Sequence, residues 1–170
     1  MSTKRLQLGD VFTIPLDEAR VGFGQVVAKY HDEGYYFAIF DHAYGRSALP
    51  AIHDVVSGPI AFLALSFDGK VYAGQWQVIG SAPVRKDLPL PAYKESVGTP
   101  DQIDVVDYSG QRRRRAAARE LDVLPNRKFV APVRLEKALR ARHGLEPWSE
   151  RYDDLRPNDA ATTSRFFPLS

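Results

Sequence analysis

Apolar and polar positions alternate with period two near the start of the chain. In "GDVFTIPL", Phe12, Ile14 and Leu16 fall on one side and Val11, Thr13 and Pro15 on the other, which predicts a strand. Pro15 has no N–H to give to a ladder, so this strand lies at an edge or pairs only where the missing donor does not matter. "GFGQVVAKY", the polar turn "HDEG" and "YYFAIFD" then read as two strands joined by a tight connection. In the second of these, Tyr35, Phe37 and Ile39 share one face and Tyr36, Ala38 and Phe40 the other, so neither face is built for water. It is either a central strand or one whose aromatic face meets a partner.

Further on, "IAFLALSFDGKVYAGQWQVIG" predicts two strands joined at Asp68-Gly69, a strong hairpin signal, with Trp76 in or near the core. Pro83, Pro89, Pro91 and Pro100 predict a linker or extended surface segment, and "QIDVVDY" predicts one more strand. "SGQRRRRAAARELD", Ser109 to Asp122, is expected to be helical, with its arginines fanned around the axis and Arg113, Ala117, Leu121 and Leu124 on the buried seam. A clearer helix is "RLEKALRARHG", in which Leu135, Ala138, Leu139 and Arg142 recur at helical spacing. There Glu136 stands one turn before Arg140, and Gly144 ends the helix. The expected class is α+β, mainly β: a small antiparallel sheet or partly closed SH3-like barrel of about five to six strands, with one or two C-terminal helices. Residues 1–150 are expected to form a single β-rich domain. Residues 151–170 read as a polar tail, loosely held unless Phe166 and Phe167 dock.

Composition narrows the function. The 170 residues, 44% hydrophobic and 26% charged, suffice for one core without disulfide or metal support. With no cysteine there is no thiol nucleophile, thiolate zinc site or disulfide framework. "MSTKRLQLGD" has basic residues but no apolar stretch of a secretory signal, and the run "IAFLAL" is far shorter than the roughly 20 residues that cross a bilayer. A cytoplasmic protein with no membrane partner is therefore expected. The net charge of +2 is unevenly spread: up to Pro100 there are nine Lys and Arg against ten Asp and Glu, and beyond it fourteen against eleven.

No reaction centre is legible. His31, His42, His53 and His143 show no metal-ligand spacing, and neither metal nor cofactor is expected. Asp41 and His42 are neighbours on a strand end, and such neighbours point to opposite faces, which argues against an acid–base dyad. "GFGQ" lacks the lysine and following helix of a phosphate loop, and no Gly-x-Ser-x-Gly elbow occurs. An enzymatic reading thus needs His42 or His53 to face a pocket with Asp41 or Asp54. The alternative to a protein-binding role is a nucleic-acid-binding small β-barrel, with Arg112–Arg115 on phosphates and exposed tyrosines stacking bases. Asp10, Asp17, Glu18, Asp32, Glu33 and Asp41 interleave the same strands and turns and repel a phosphate backbone, so nucleic acid is not the expected partner.

Gly9, Asp10, Phe12, Ile14, Pro15 and Leu16, followed by Gly22, Phe23, Gly24 and Val26, make a Gly-Asp-x-Phe-x-Ile-Pro-Leu strand and a Gly-aromatic-Gly-x-Val strand. This opening resembles immunity-protein family 26 of bacterial polymorphic toxin systems. The match covers roughly the first third firmly and "LEKALRARHG" more loosely, and the arginine segment departs from it. The resemblance implies a mainly β protein that binds a cognate toxin, blocks it and performs no chemistry, so no catalytic residue is carried over. A basic nuclease is the toxin class that the acidic turns would suit. On that basis the expected partner-binding residues are Asp17, Glu18, Asp32 and Glu33 in the turns, with Tyr35, Tyr36 and Tyr44 as aromatic anchors.

Overall fold

The computed structural model describes residues 5–168. Strand β1 (Asp10–Pro15) pairs antiparallel with β2 (Arg20–Tyr30), which turns through His31–Glu33 into β3 (Gly34–Phe40). There follow a two-residue strand β4 (Tyr44–Gly45), helix α1 (Ile52–Val56), β5 (Ile60–Ser66), helix α2 (Gly69–Tyr72) and β6 (Gln77–Ser81). These strands make one antiparallel sheet in the order β5-β3-β2-β1-β6, with β4 against β2. A second sheet holds β7 (Tyr93–Val97), β8 (Thr99–Val106) and β9 (Arg113–Arg115) in sequence order. Helix α3 (Pro132–Arg142), short 3-10 turns and α4 (Thr163–Phe166) complete the chain. The class is mainly β, as the alternation predicts; the sheet is open rather than closed into a barrel.

Strand β3 lies between β2 and β5, and every one of its residues is buried, so the two-faced apolar pattern belongs to a central strand. On one face Phe12 stacks on Trp76 at 5.2 Å and meets Phe37 edge-on at 5.0 Å, and Leu135, Ala138 and Leu139 of α3 pack into the same cluster. Tyr36, Ala38, Leu63 and Leu65 on the other face meet Tyr93 of the second sheet, with Leu88 and Leu90 of the proline-rich segment alongside. Pro15 pairs with Val21 of β2, whereas the ladder to β6 ends at Thr13, so no donor is missed on that side. Gly144, at φ 77°, takes the left-handed conformation just past α3.

Three local expectations fail, each for a tertiary reason. Asp68-Gly69 does not close a hairpin: Asp68 precedes α2, and the returning strand pairs with β1 instead of β5. Trp76 gains its burial against Phe12 and Phe37 by crossing the sheet face, and this carries the chain past three strands. The arginine run is the edge strand β9 and not a helix, because strand alternation places Arg113 and Arg115 over Asp104 of β8. Within the expected linker, residues 93–97 form β7, whose neighbouring backbone is held by Pro125 and Ala161 carbonyls. Past residue 150, Phe167 is buried with Ala92, Val105 and Leu124.

Candidate partner interface

The residues expected to meet a partner are not gathered on one face. Asp17 and Glu18 lie in the β1–β2 turn and Asp32 and Glu33 in the β2–β3 turn, at opposite ends of the eleven-residue β2. At the rise of an extended chain the two turns are roughly 30 Å apart. Asp17 is occupied in shaping its own turn: it accepts the Ala19 N–H at 2.9 Å, the Arg20 N–H at 2.7 Å and the Arg20 guanidinium at 3.1 Å. The Ala19 bond, with those from Arg20, holds its carboxyl below the usual carboxylate range. Glu18 beside it is exposed, and Tyr44 is half-buried with its ring edge-on to Phe23 at 5.5 Å.

Two expected anchors are corrected outright. Tyr35 and Tyr36 are 8% and 0% exposed, because β3 is central and its faces are covered by α3 and by the second sheet. The Tyr36 hydroxyl donates to the Tyr108 carbonyl at 2.6 Å, and burial pushes its pKa far above the ordinary tyrosine value. Tyr36 fastens the two sheets together, Tyr35 stacks on Phe37 in the core on the other face, and neither presents a ring to a partner.

The Asp32–Glu33 end offers other aromatics. Phe67, just after β5, stacks on Phe129 at 5.1 Å with ring planes only 6° apart, and the two residues are 42% and 38% exposed. Tyr30 meets Phe129 edge-on at 6.1 Å. Gly34 makes this arrangement possible, since a Cβ there would stand 2.7 Å from the Phe129 ring. Arg5 bridges towards Asp32 at 3.7 Å and also lines an adjoining groove of about 620 Å³. That groove holds Asp68, Tyr72, Trp76 and Val78, and Tyr72 is 71% exposed. Phe67 and Phe129 thus stand at the Asp32–Glu33 end of the sheet, with Asp68 next to Phe67 and Tyr72 one helical turn further along in α2. Sequence reasoning missed these aromatics because it placed Phe67 and Tyr72 in strands of a hairpin; the exposed Phe beside Asp68-Gly69 was the available signal.

The arginines of the run are engaged within the chain. Arg113 pairs with Glu95 at 3.0 Å and approaches Asp104, and Arg115 reaches Asp104 at 3.2 Å. Arg112 lies over the Phe167 ring at 4.9 Å, and Arg114 holds Glu120 through two bonds. Among the described residues no cluster of three or more metal-ligating side chains occurs. Asp41 is tied to Arg142, whose hydrogen bond lowers its carboxyl pKa, and its backbone carbonyl meets His143 at 2.8 Å. His42, His53 and Asp54 are exposed, and neither the groove at Tyr72 nor a second cleft beside β5 contains a histidine.

A protein-family model described as Immunity protein 26 matches residues 7–102, more than half of the chain. The chain belongs to the Immunity protein 26 family. The Immunity protein 26 match runs from β1 through β7 into β8, and so includes Asp32, Glu33, Phe67 and Tyr72, while Phe129 and the arginine strand lie beyond it. Membership supports an immunity-type function in toxin systems, in a family that is generally non-enzymatic. No curated protein and no solved structure matches the chain. No helix among the described residues is long and apolar enough to cross a membrane.

Proposed function

We propose that this chain binds a cognate protein toxin in the cytoplasm and neutralises it by covering the toxin's surface. The observation that carries this reading is the exposed Phe67–Phe129 stack, next in the chain to Asp68 and packed against Gly34 at the end of the Asp32–Glu33 turn. Aromatic rings at the centre of an interface supply most of its binding energy, and the surrounding carboxylates steer a partner of opposite charge. A basic toxin such as a nuclease fits that surface. The chain contributes shape and charge and breaks no bond.

Co-expression with the toxin domain encoded beside the chain's own gene tests the proposal. Growth is restored by the natural chain and lost again with the Phe67→Ala, Phe129→Ala double variant. A toxin that kills equally well with and without the natural chain sinks the proposal.

A further inference from the structure

The main sheet ends in two edges that are built differently. On β6 the residue Ile79 is extra, inserted between the pairs Val11↔Gly80 and Phe12↔Val78, and such a bulge twists an edge away from further pairing. Strand β5 instead pairs with β3 in regular register from Phe62 to Ser66. The Leu65 carbonyl accepts the Val130 N–H at 2.8 Å from the side away from β3. Alternation along an antiparallel strand therefore turns the Leu63 N–H, the Leu63 carbonyl and the Leu65 N–H to that same side. None of the bonds made outside the ladder by the described residues reaches these three groups.

Leu63, Ala64 and Leu65, each less than a tenth exposed, line a cleft of about 410 Å³. Pro89, Pro91, Pro125 and Pro157 line it as well and bring no N–H of their own. Asp153, which accepts the Trp148 indole N–H at 3.0 Å, and Asp159 line it too; Asp154 is paired with Lys128 and Arg134, and Arg156, the other cation of the lining, lies over the Trp148 ring at 4.8 Å. Lys128 and Val130, on either side of Phe129 in the chain, line the cleft as well.

We infer that a short extended segment of the toxin, with a basic side chain facing Asp153 and Asp159, adds as a strand to the β5 edge at Leu63–Leu65. This rests on the reading that the partner is a toxin and names the part of it that is gripped. Main-chain bonds at a sheet edge supply affinity, and the apolar lining with its aspartates supplies selectivity. A small molecule has no reason to match donors and acceptors at backbone spacing, whereas an extended peptide does so by construction.

Hydrogen exchange on the natural chain, alone and bound to a catalytically inactive form of the toxin domain encoded beside its gene, tests this. The Leu63 and Leu65 amides slow at least tenfold in the complex. In parallel Asn126→Trp, which fills the cleft from its exposed lip, weakens binding at least tenfold without lowering the melting temperature. Tight binding with no change at either amide overturns the strand addition and leaves the proposed function standing. No binding of any kind overturns both. Protection that grows with the chain's own concentration, toxin being absent, puts a second copy on the edge and likewise overturns the assignment.

Discussion

Arg114 and Glu120 face each other as a two-bonded pair, Nη1 to Oε1 at 2.9 Å and Nη2 to Oε2 at 2.7 Å, while the same Oε1 accepts the Ala117 N–H at 2.8 Å. Arg114 also donates to the Phe166 carbonyl at 3.2 Å, so one guanidinium joins β9, the turn after it and the C-terminal segment. A basic run that reads as a grip for an external phosphate is thereby an internal fastening.

The Arg114 hydrogen bond, with the Ala117 N–H, lowers the Glu120 pKa to about 2. Because the folded value lies below the unfolded one of 4.5, the stability it contributes is complete above that value and is lost as pH falls towards 2. Glu120→Gln lowers stability at pH 7 by about 1–2 kcal/mol, the scale of a well-formed exposed pair plus a capping bond. Its deficit relative to the natural chain shrinks between pH 4.5 and 2. Urea unfolding at several pH values measures this, and a deficit independent of pH contradicts it.

Replacing Phe67 and Phe129 with alanine leaves the fold intact, since both rings are partly in water, and weakens toxin binding by 2 kcal/mol or more, about 30-fold. Calorimetric titration against the inactive toxin domain reads this directly. Equal affinity of the double variant and the natural chain moves the interface elsewhere.

Trp76→Phe removes the N–H that meets Glu136 Oε1 at 3.2 Å and thins the stack on Phe12. Glu136 is 4% exposed and keeps Lys70 at 3.5 Å and Arg140 at 3.6 Å, so the charge is not stranded. The expected cost is about 1–3 kcal/mol, from the lost bond and the space left by the smaller ring. Thermal melts check it; an unchanged melting temperature shows that the indole is not the fastening described.

Reversing Asp32 and Glu33 to lysine slows association with a basic toxin and flattens its dependence on salt, with little effect on dissociation. The same reversal at Glu18 has a smaller effect, because that turn lies at the far end of β2. Stopped-flow mixing at two ionic strengths distinguishes the positions. Equal effects at both ends show that overall charge matters and the Asp32–Glu33 end does not.

Local pattern alone determined the elements whose neighbours share their preference. The alternation in β1 to β3 and the helical spacing of Leu135, Ala138 and Leu139 survive in the fold because burial on those faces is what the pattern itself encodes. The opening glycine and aromatic motif carried the family as well, since it lies inside the matched residues. Tertiary structure decided what depends on distant partners. Whether "YYFAIFD" meets a toxin or a second sheet turns on Tyr93 and Tyr108, more than fifty residues away, and burial answered in favour of the sheet. The arginines became a strand because Asp104, Glu95 and Phe167 are placed to receive them, and ion pairs across a sheet outweigh a modest helical preference. The exposed stack of Phe67 on Phe129 joins positions sixty-two residues apart, a contact that no periodicity can announce because it depends on the Val130 N–H reaching the Leu65 carbonyl of β5.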